Sequence, residues 1–260
     1  MSGRSVFRIL TLVVVMLRAI AAGAAPGEAV EAARALLAAW HEDPARVDHA
    51  RARLEAASGA DATAETLVEL SRAWFLTGDF RAHADGERVA AYERGAAAAR
   101  RAIAADPGDD RARLWYAINT GRLAELRGVM RAVALVSTLR EESETVLRLN
   151  PSSVDGLILA GGLAAAVPGF MGGDRTRAER LFKRALSADP HQTGGRLELA
   201  RLYVATRRWS DARRELQRIV DERAPTDLPR WAMNDLPSAR AMLAELYQRG
   251  RASGVSPESP

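Results

Sequence analysis

The chain has 260 residues, of which 48% are apolar and 27% are charged. Its formal net charge is +4, and it contains no cysteine. The apolar fraction is high enough for a packed core, which excludes disorder over most of the length. The absence of cysteine excludes disulfides, thiolate metal sites and a cysteine nucleophile.

The N-terminus has the pattern of an export signal. Arg4 and Arg8 precede an apolar run, Ile9–Leu17, which has the length of a signal-peptide core and is too short to cross a bilayer. The triplet Ala22–Ala24 places small residues where signal peptidase needs them. We therefore predict that residues 1–24 are a cleaved signal peptide, with an uncleaved membrane anchor as the alternative.

Removal of the signal leaves a mature chain that is nearly neutral. Arginine and glutamate alternate along the predicted helices, as in the segment 213–218, and this is typical of a solvated face. Nucleic-acid binding needs a clustered positive charge, so we expect no nucleic-acid partner. Since no cysteine is available for lipid attachment, we expect a periplasmic protein that is not a lipoprotein.

The chain after the predicted signal divides into repeat units, and the first three of them are predicted to be helical hairpins. Alanine, leucine, arginine and glutamate dominate the composition, and these residues favour helix. Helix pairs are expected over residues 27–59 and 63–105. A third unit lies between Asp106-Pro107 and Asn150-Pro151, and it is longer than a regular repeat.

The fourth unit has the clearest repeat pattern. Ala178, Phe182 and Ala185 alternate small residues with one large one, and Pro190 ends the unit. This spacing is typical of the second helix of a tetratricopeptide repeat (TPR). The unit is also longer than a regular repeat, and the extra residues fall at 167–174.

The C-terminal part completes the repeat pattern. Residues 190–225 fit a fifth TPR unit, and the next segment is expected to be broken by Pro229 and Pro237. A last helix, Pro237–Gly250, is predicted to cap the array. We predict an all-α fold over residues 25–250, a TPR-like α-solenoid of about five helical hairpins with a C-terminal capping helix, followed by a disordered tail at 251–260.

No catalytic or metal-binding motif is present. The four histidines, His41, His49, His83 and His191, form no pair at metal-ligand spacing. There is no nucleophile elbow, phosphate-binding loop or dinucleotide fingerprint. We expect a protein without catalysis, cofactor or metal.

One candidate site is the insertion in the fourth unit. It comprises Pro168, Gly169, Phe170, Met171, Gly172, Gly173 and Asp174. Proline ends the preceding helix, the glycines allow positive φ, and Asp174 suits an N-cap. Phe170 and Met171 on a flexible loop predict a contact with a ligand or partner, and the alternative is a long turn with no further role.

A second candidate site lies in the third unit. Tyr116, Asn119 and Arg122 follow one another along a helix beside Trp115. Such aromatic residues are usually part of the core. The alternative is that Asn119 and Arg122 face the concave surface of the solenoid and bind an anionic group.

Together with the export signal and the irregular repeats, two segments, 119–128 and 168–190, resemble the T component of tripartite ATP-independent periplasmic (TRAP) transporters. The resemblance implies an all-α protein that associates with the transporter's periplasmic solute-binding protein. It also implies a trimer with an internal apolar cavity and a role in passing on hydrophobic or carboxylate ligands. The leading hypothesis is such an adaptor, and the alternative is a general TPR scaffold of the cell envelope.

Overall fold

A computed structural model describes residues 26–252, with side chains from residue 27 to residue 249. The predicted signal peptide at 1–24 lies outside the described residues, as does the segment 253–260 of the predicted tail. No helix in the described part of the chain is long and apolar enough to cross a bilayer.

Between residues 26 and 252 the secondary structure is helical, with no strand. The helices are α1 (Pro26–Ala38), α2 (Ala45–Ala57), α3 (Ala64–Phe80), α4 (Asp85–Ala105), α5 (Asp110–Leu126), α6 (Val129–Leu149), α7 (Val154–Ala166), α8 (Arg175–Ala188), α9 (Thr193–Ala205), α10 (Trp209–Val220), α11 (Leu228–Arg230) and α12 (Leu236–Ala252).

Consecutive helices pair as five hairpins, α1–α2 to α9–α10. The first helix of each hairpin packs on the first helix of the next, and each second helix also contacts the hairpin that follows. A hairpin of this kind buries its apolar stripe only against its neighbours, so the array forms one continuous solenoid. The prediction of an all-α, TPR-like α-solenoid is confirmed.

The helix starts follow from the residues that precede them. Thr63 Oγ1 accepts a hydrogen bond from the backbone N–H of Thr66 at 3.2 Å, and Ser153 Oγ accepts one from Gly156 at the same distance. A side-chain oxygen at this position satisfies one of the N–H groups that the first helical turn leaves unpaired. Local sequence therefore fixes where these helices begin.

Large side chains fill the interfaces between hairpins in two main clusters. In the N-terminal cluster Trp40, Leu54 and Tyr92 are fully buried, and in the C-terminal cluster Phe182 and Leu216 are. Each such side chain contributes roughly 1.5–3 kcal/mol through burial. The solenoid is therefore held together at its hairpin interfaces.

Small residues permit the helices to approach closely. A Cβ atom built on Gly161 would lie 2.7 Å from the ring of Phe182, so a larger residue has no room there. Its neighbour Gly162 has no atom within 4 Å of a built Cβ. The close approach that the repeat pattern predicts therefore depends on the first glycine of the pair.

The C-terminal segment corrects one prediction. Pro229 and Pro237 do not interrupt the helical structure. Residues 228–252 run without a break from α11 through a π-helical turn, Trp231–Asp235, into α12. Pro229 lies in the first turn of α11, where its missing N–H is not needed. The π turn re-spaces the backbone hydrogen bonds directly before Pro237. As predicted, the last helix packs on the end of the array, against α10.

Replacing Gly95 with alanine is expected to lower the free energy of unfolding by about 1–3 kcal/mol. The new Cβ would overlap the amide of Asn119, which is short, buried and hydrogen-bonded in place. The measurement is urea unfolding followed by circular dichroism.

Gly86→Ala on the same helix is the matched control. No atom lies within 4 Å of a Cβ built there, so alanine should stabilise the helix by roughly 0.5–1 kcal/mol. Equal unfolding midpoints for the two variants would contradict the proposed packing.

Candidate partner-binding surface

The insertion between α7 and α8 is a closed turn. The carbonyl oxygen of Pro168 accepts hydrogen bonds from the N–H of Met171 at 2.9 Å and from the N–H of Gly173 at 3.1 Å. Gly172 has φ of +88°, which a side chain rarely tolerates. A Cβ atom on Gly173 would overlap the carbonyl oxygen of Val167. Both glycines are therefore required by the geometry of the turn.

The turn is also fixed to its surroundings at two points. Arg140 of α6 donates from Nη2 to the carbonyl oxygen of Met171 at 2.9 Å. The N–H of Asp174 donates to Ala164 O at 2.9 Å, and its carboxylate caps α8 through the N–H of Arg177. The expectation of a flexible loop is therefore corrected, because these bonds hold its backbone in one conformation.

The fixed turn presents an aromatic side chain to solvent. Phe170 is 90% exposed, whereas Met171 is partly buried. Phe170 therefore belongs neither to a packed core nor to the wall of a closed cavity. Because hydrogen bonds already order the backbone of the turn, a partner that contacts Phe170 would have to order less of the chain than on a free loop.

A second exposed apolar segment lies at the start of α6. Val129 is 77% exposed and Met130 is 83% exposed, and Val133 one turn later is also exposed. None of the residues of α6 before Ser143 is buried. Sequence reasoning missed this segment, although its signal is visible in the third unit, which is longer than a regular repeat.

The exposure results from unequal hairpin lengths. Helices α5 and α6 have 17 and 21 residues, whereas α7 and α8 have 13 and 14. The α7–α8 turn meets α6 at Arg140, so residues 129–139 extend beyond that contact by about 16 Å. The next hairpin is too short to cover them.

Both exposed segments lie at the same edge of the solenoid, because each follows the first helix of its hairpin. We call the set Val129, Met130, Val133, Phe170 and Met171 the overhang surface.

The overhang surface has a positive rim. No acidic residue occurs between Glu125 and Glu141. Arg131 and Arg175 are exposed and form no ion pair with any residue that the structure describes. Arg127 differs, because it pairs with Glu93 of α4.

The second candidate set lies elsewhere, in the packing of α3, α4 and α5. Asn119 is 0% exposed, so it does not face the concave surface. Its Nδ2 donates to Ser71 Oγ at 3.1 Å and to Trp115 O at 3.0 Å. This buried amide links α5 to α3, and Tyr116 lies beneath the guanidinium of Arg100, 5.5 Å from ring centroid to Cζ.

Arg122 is partly exposed, but its charge is already matched. It forms ion pairs with Asp79 and Glu125, each at 3.1 Å, and its guanidinium lies over the ring of Phe75. Burial alone would lower the pKa of Arg122, but the two carboxylates outweigh it and raise the pKa. An external anion would have to compete with both carboxylates for this arginine.

The structure therefore separates the two predicted sites. It exposes Phe170 at the same edge of the solenoid as an apolar segment of α6 that sequence reasoning did not include, and it places Tyr116, Asn119 and Arg122 against other helices. No group of three metal-ligating side chains occurs among the described residues.

Comparison with known proteins agrees with the fold. Residues 170–236 match the tetratricopeptide repeat family. The crystal structure of TTC0263, a thermophilic TPR protein of Thermus thermophilus, superposes with a TM-score of 0.61 at 17% identity, covering 84% of this chain and 100% of that one. The pilF structure of Pseudomonas aeruginosa gives a TM-score of 0.50 at 16% identity, covering 90% and 95%. No curated protein matches the sequence.

The repeat match and these structural relatives support a TPR-type α-solenoid protein. Solenoids of this kind present extended concave surfaces for binding. At such low identity the structural likeness shows the fold alone.

Tyr92 gives the network beside Arg122 a measurable pH dependence. Its hydroxyl donates to Asp79, and burial followed by this carboxylate raises the pKa of Tyr92 from 10.0 to about 12. The unfolded chain therefore releases this proton at lower pH than the folded protein. The stabilisation should be complete below pH 10 and decline as the pH rises from 10 to 12.

The measurement is the free energy of unfolding at several pH values between 9 and 12. Wild type should lose more stability over this window than Tyr92→Phe, which has no proton to release at this position. Parallel curves for the two proteins would show that Tyr92 does not titrate as described.

Proposed function

We propose that this protein is a TPR scaffold that binds a protein partner through the overhang surface. The observation that carries the proposal is the exposure of Val129, Met130 and Phe170 at one edge of an otherwise packed solenoid. Large apolar side chains that are almost wholly exposed on an otherwise folded surface often mark a place of interaction. The proposed mechanism is binding without catalysis.

The size of the apolar contact supports a specific interaction. Burying one phenylalanine or methionine side chain contributes roughly 1.5–3 kcal/mol. Phe170 and Met130 are almost wholly exposed, so nearly all of that contribution remains for a partner. The rigid turn around Phe170 adds to it, because little conformational entropy is lost on binding.

The charges at the rim indicate the kind of partner. Arg131 and Arg175 flank the apolar side chains, with no acidic residue between Glu125 and Glu141. A partner with acidic groups around an apolar centre complements this surface. Association of two copies through the same surface would bring like charges together.

We further propose that the partner is the periplasmic solute-binding protein of a TRAP transporter, and that this protein is exported to the periplasm. Support comes from the resemblance of the segments 119–128 and 168–190 to the T component, and from the signal-like N-terminus. A hydrophobic or carboxylate ligand and a trimeric state are part of the same proposal. The second candidate is a general envelope scaffold, which the overhang surface fits equally well.

The double variant Phe170→Ser/Met171→Ser is expected to weaken partner binding by about tenfold or more, because two apolar contacts are lost. Met130→Ser/Val133→Ser should have a similar effect. The measurement is recovery of bound proteins from periplasmic extract with mass spectrometry, followed by titration of the purified partner.

Leu228→Ser is the matched control, since Leu228 is also exposed but lies on α11, outside the overhang surface. It should leave binding and helicity unchanged. A partner that binds both double variants as tightly as wild type would exclude the overhang surface. If wild type recovers a solute-binding protein that the double variants do not, the result favours the transporter adaptor. If the protein that they fail to recover is an assembly factor, the result favours the general scaffold.

A further inference from the structure

A cleft of about 330 Å³ lies between α2, α3 and α4, far along the chain from the overhang surface. Its apolar wall is formed by Trp74 of α3 and by Ala90 and Ala91 of α4. The small alanine side chains leave room above this wall. The volume is at the lower end of the range for small-molecule sites.

Three arginines line the same cleft. Arg51 of α2 and Arg94 of α4 both lie over the indole of Trp74, with Cζ atoms 4.6 Å and 4.8 Å from the ring centroid. Arg81 follows α3 and belongs to the same lining. Two guanidinium groups from different hairpins therefore lie over the tryptophan ring, and the guanidinium of Arg81 belongs to the same lining.

The carboxylates of the cleft neutralise these arginines only in part. Asp48 is shared, at 2.9 Å from Arg81 and 3.4 Å from Arg51. Glu87 accepts hydrogen bonds from the backbone N–H groups of His83 and Ala84, and these bonds lower the pKa of Glu87. Its carboxylate therefore caps the start of α4.

Arg94 has no carboxylate partner among the residues that the structure describes. The lining therefore holds three positive groups against two carboxylates, and Arg94 pairs with neither of them.

One buried donor of the cleft is unsatisfied. Arg51 donates from Nη1 to Thr77 Oγ1 at 3.2 Å, but its buried Nε has no hydrogen-bond partner. A buried N–H without a partner is costly, so the side chains around the cleft do not satisfy Arg51 completely. Guanidinium groups bind carboxylates through two parallel hydrogen bonds.

We propose that this cleft binds a carboxylate group. The acid function would contact Arg51 and Arg94, and the carbon chain would lie against Trp74 and the alanines. The group comes either from a small organic acid or from an acidic side chain of a bound peptide. This site lies apart from the overhang surface, so partner binding there and carboxylate binding here can fail separately.

Isothermal titration of the purified protein with glutarate at low ionic strength is the first test. We expect saturable binding of one equivalent, and none of glutaramide, which has the same length without charge. A hexaglutamate peptide with an amidated C-terminus is the second probe. Tighter binding of glutarate identifies a small acid as the source of the carboxylate, and tighter binding of the peptide identifies an acidic segment.

The variants assign the binding to the cleft. Arg94→Met keeps the aliphatic cover of Trp74 but removes the charge, and it should weaken binding at least about tenfold. Arg53→Met on the exposed side of α2 is the matched control and should bind like wild type. Circular dichroism confirms that both variants keep their helices.

Two results would overturn the proposal of a binding site here, and a third would overturn its assignment to a carboxylate. One is the absence of saturable binding for both carboxylate probes, in which case the arginines only cover Trp74. The other is binding by Arg94→Met and Arg51→Met that equals wild type. Preference for inorganic phosphate over glutarate would also overturn the assignment to a carboxylate.

Discussion

The structure depends on one constraint, which is that a helical hairpin has only its neighbours against which to bury its apolar side chains. Where adjacent hairpins have similar lengths, as at the interface that contains Phe182 and Leu216, the side chains are fully buried. Between the third and fourth hairpins the lengths differ, and part of the longer helix is left uncovered. The second helix of the third hairpin has 21 residues and that of the fourth has 14, and the excess leaves Val129 and Met130 in solvent. The overhang surface follows from this mismatch.

Polar groups inside the array serve packing. Ser71 Oγ donates to Gly95 O at 2.8 Å and accepts from the amide of Asn119 at 3.1 Å, so three helices are joined at one point. The contact is possible only because serine and glycine are small. A buried amide of this kind fixes the relative position of the helices, since any shift would leave a polar group unpaired.

The arginines of this chain have different roles that depend on their surroundings. Arg140 holds a turn through a carbonyl oxygen, and Arg122 is matched by two carboxylates. Arg94 lies over an indole and has no carboxylate among the described residues, and Arg131 lies at the rim of an apolar surface. A net charge close to neutral therefore conceals local positive regions, and these regions are where acidic partners or ligands are expected.

The sequence by itself determined the helices, their pairing and the turn at 168–174, because helix propensity, capping residues such as Asp174 and small-residue spacing act over short distances. It did not reveal which side chains would be left exposed or buried. For Asn119 the sequence favours the core and leaves the concave surface as an alternative, and the packing of α3 and α4 against it decides between them. The exposure of Met130 follows only from the shorter neighbouring hairpin. Burial and charge pairing are relations between hairpins distant in sequence, so only the tertiary structure decided them.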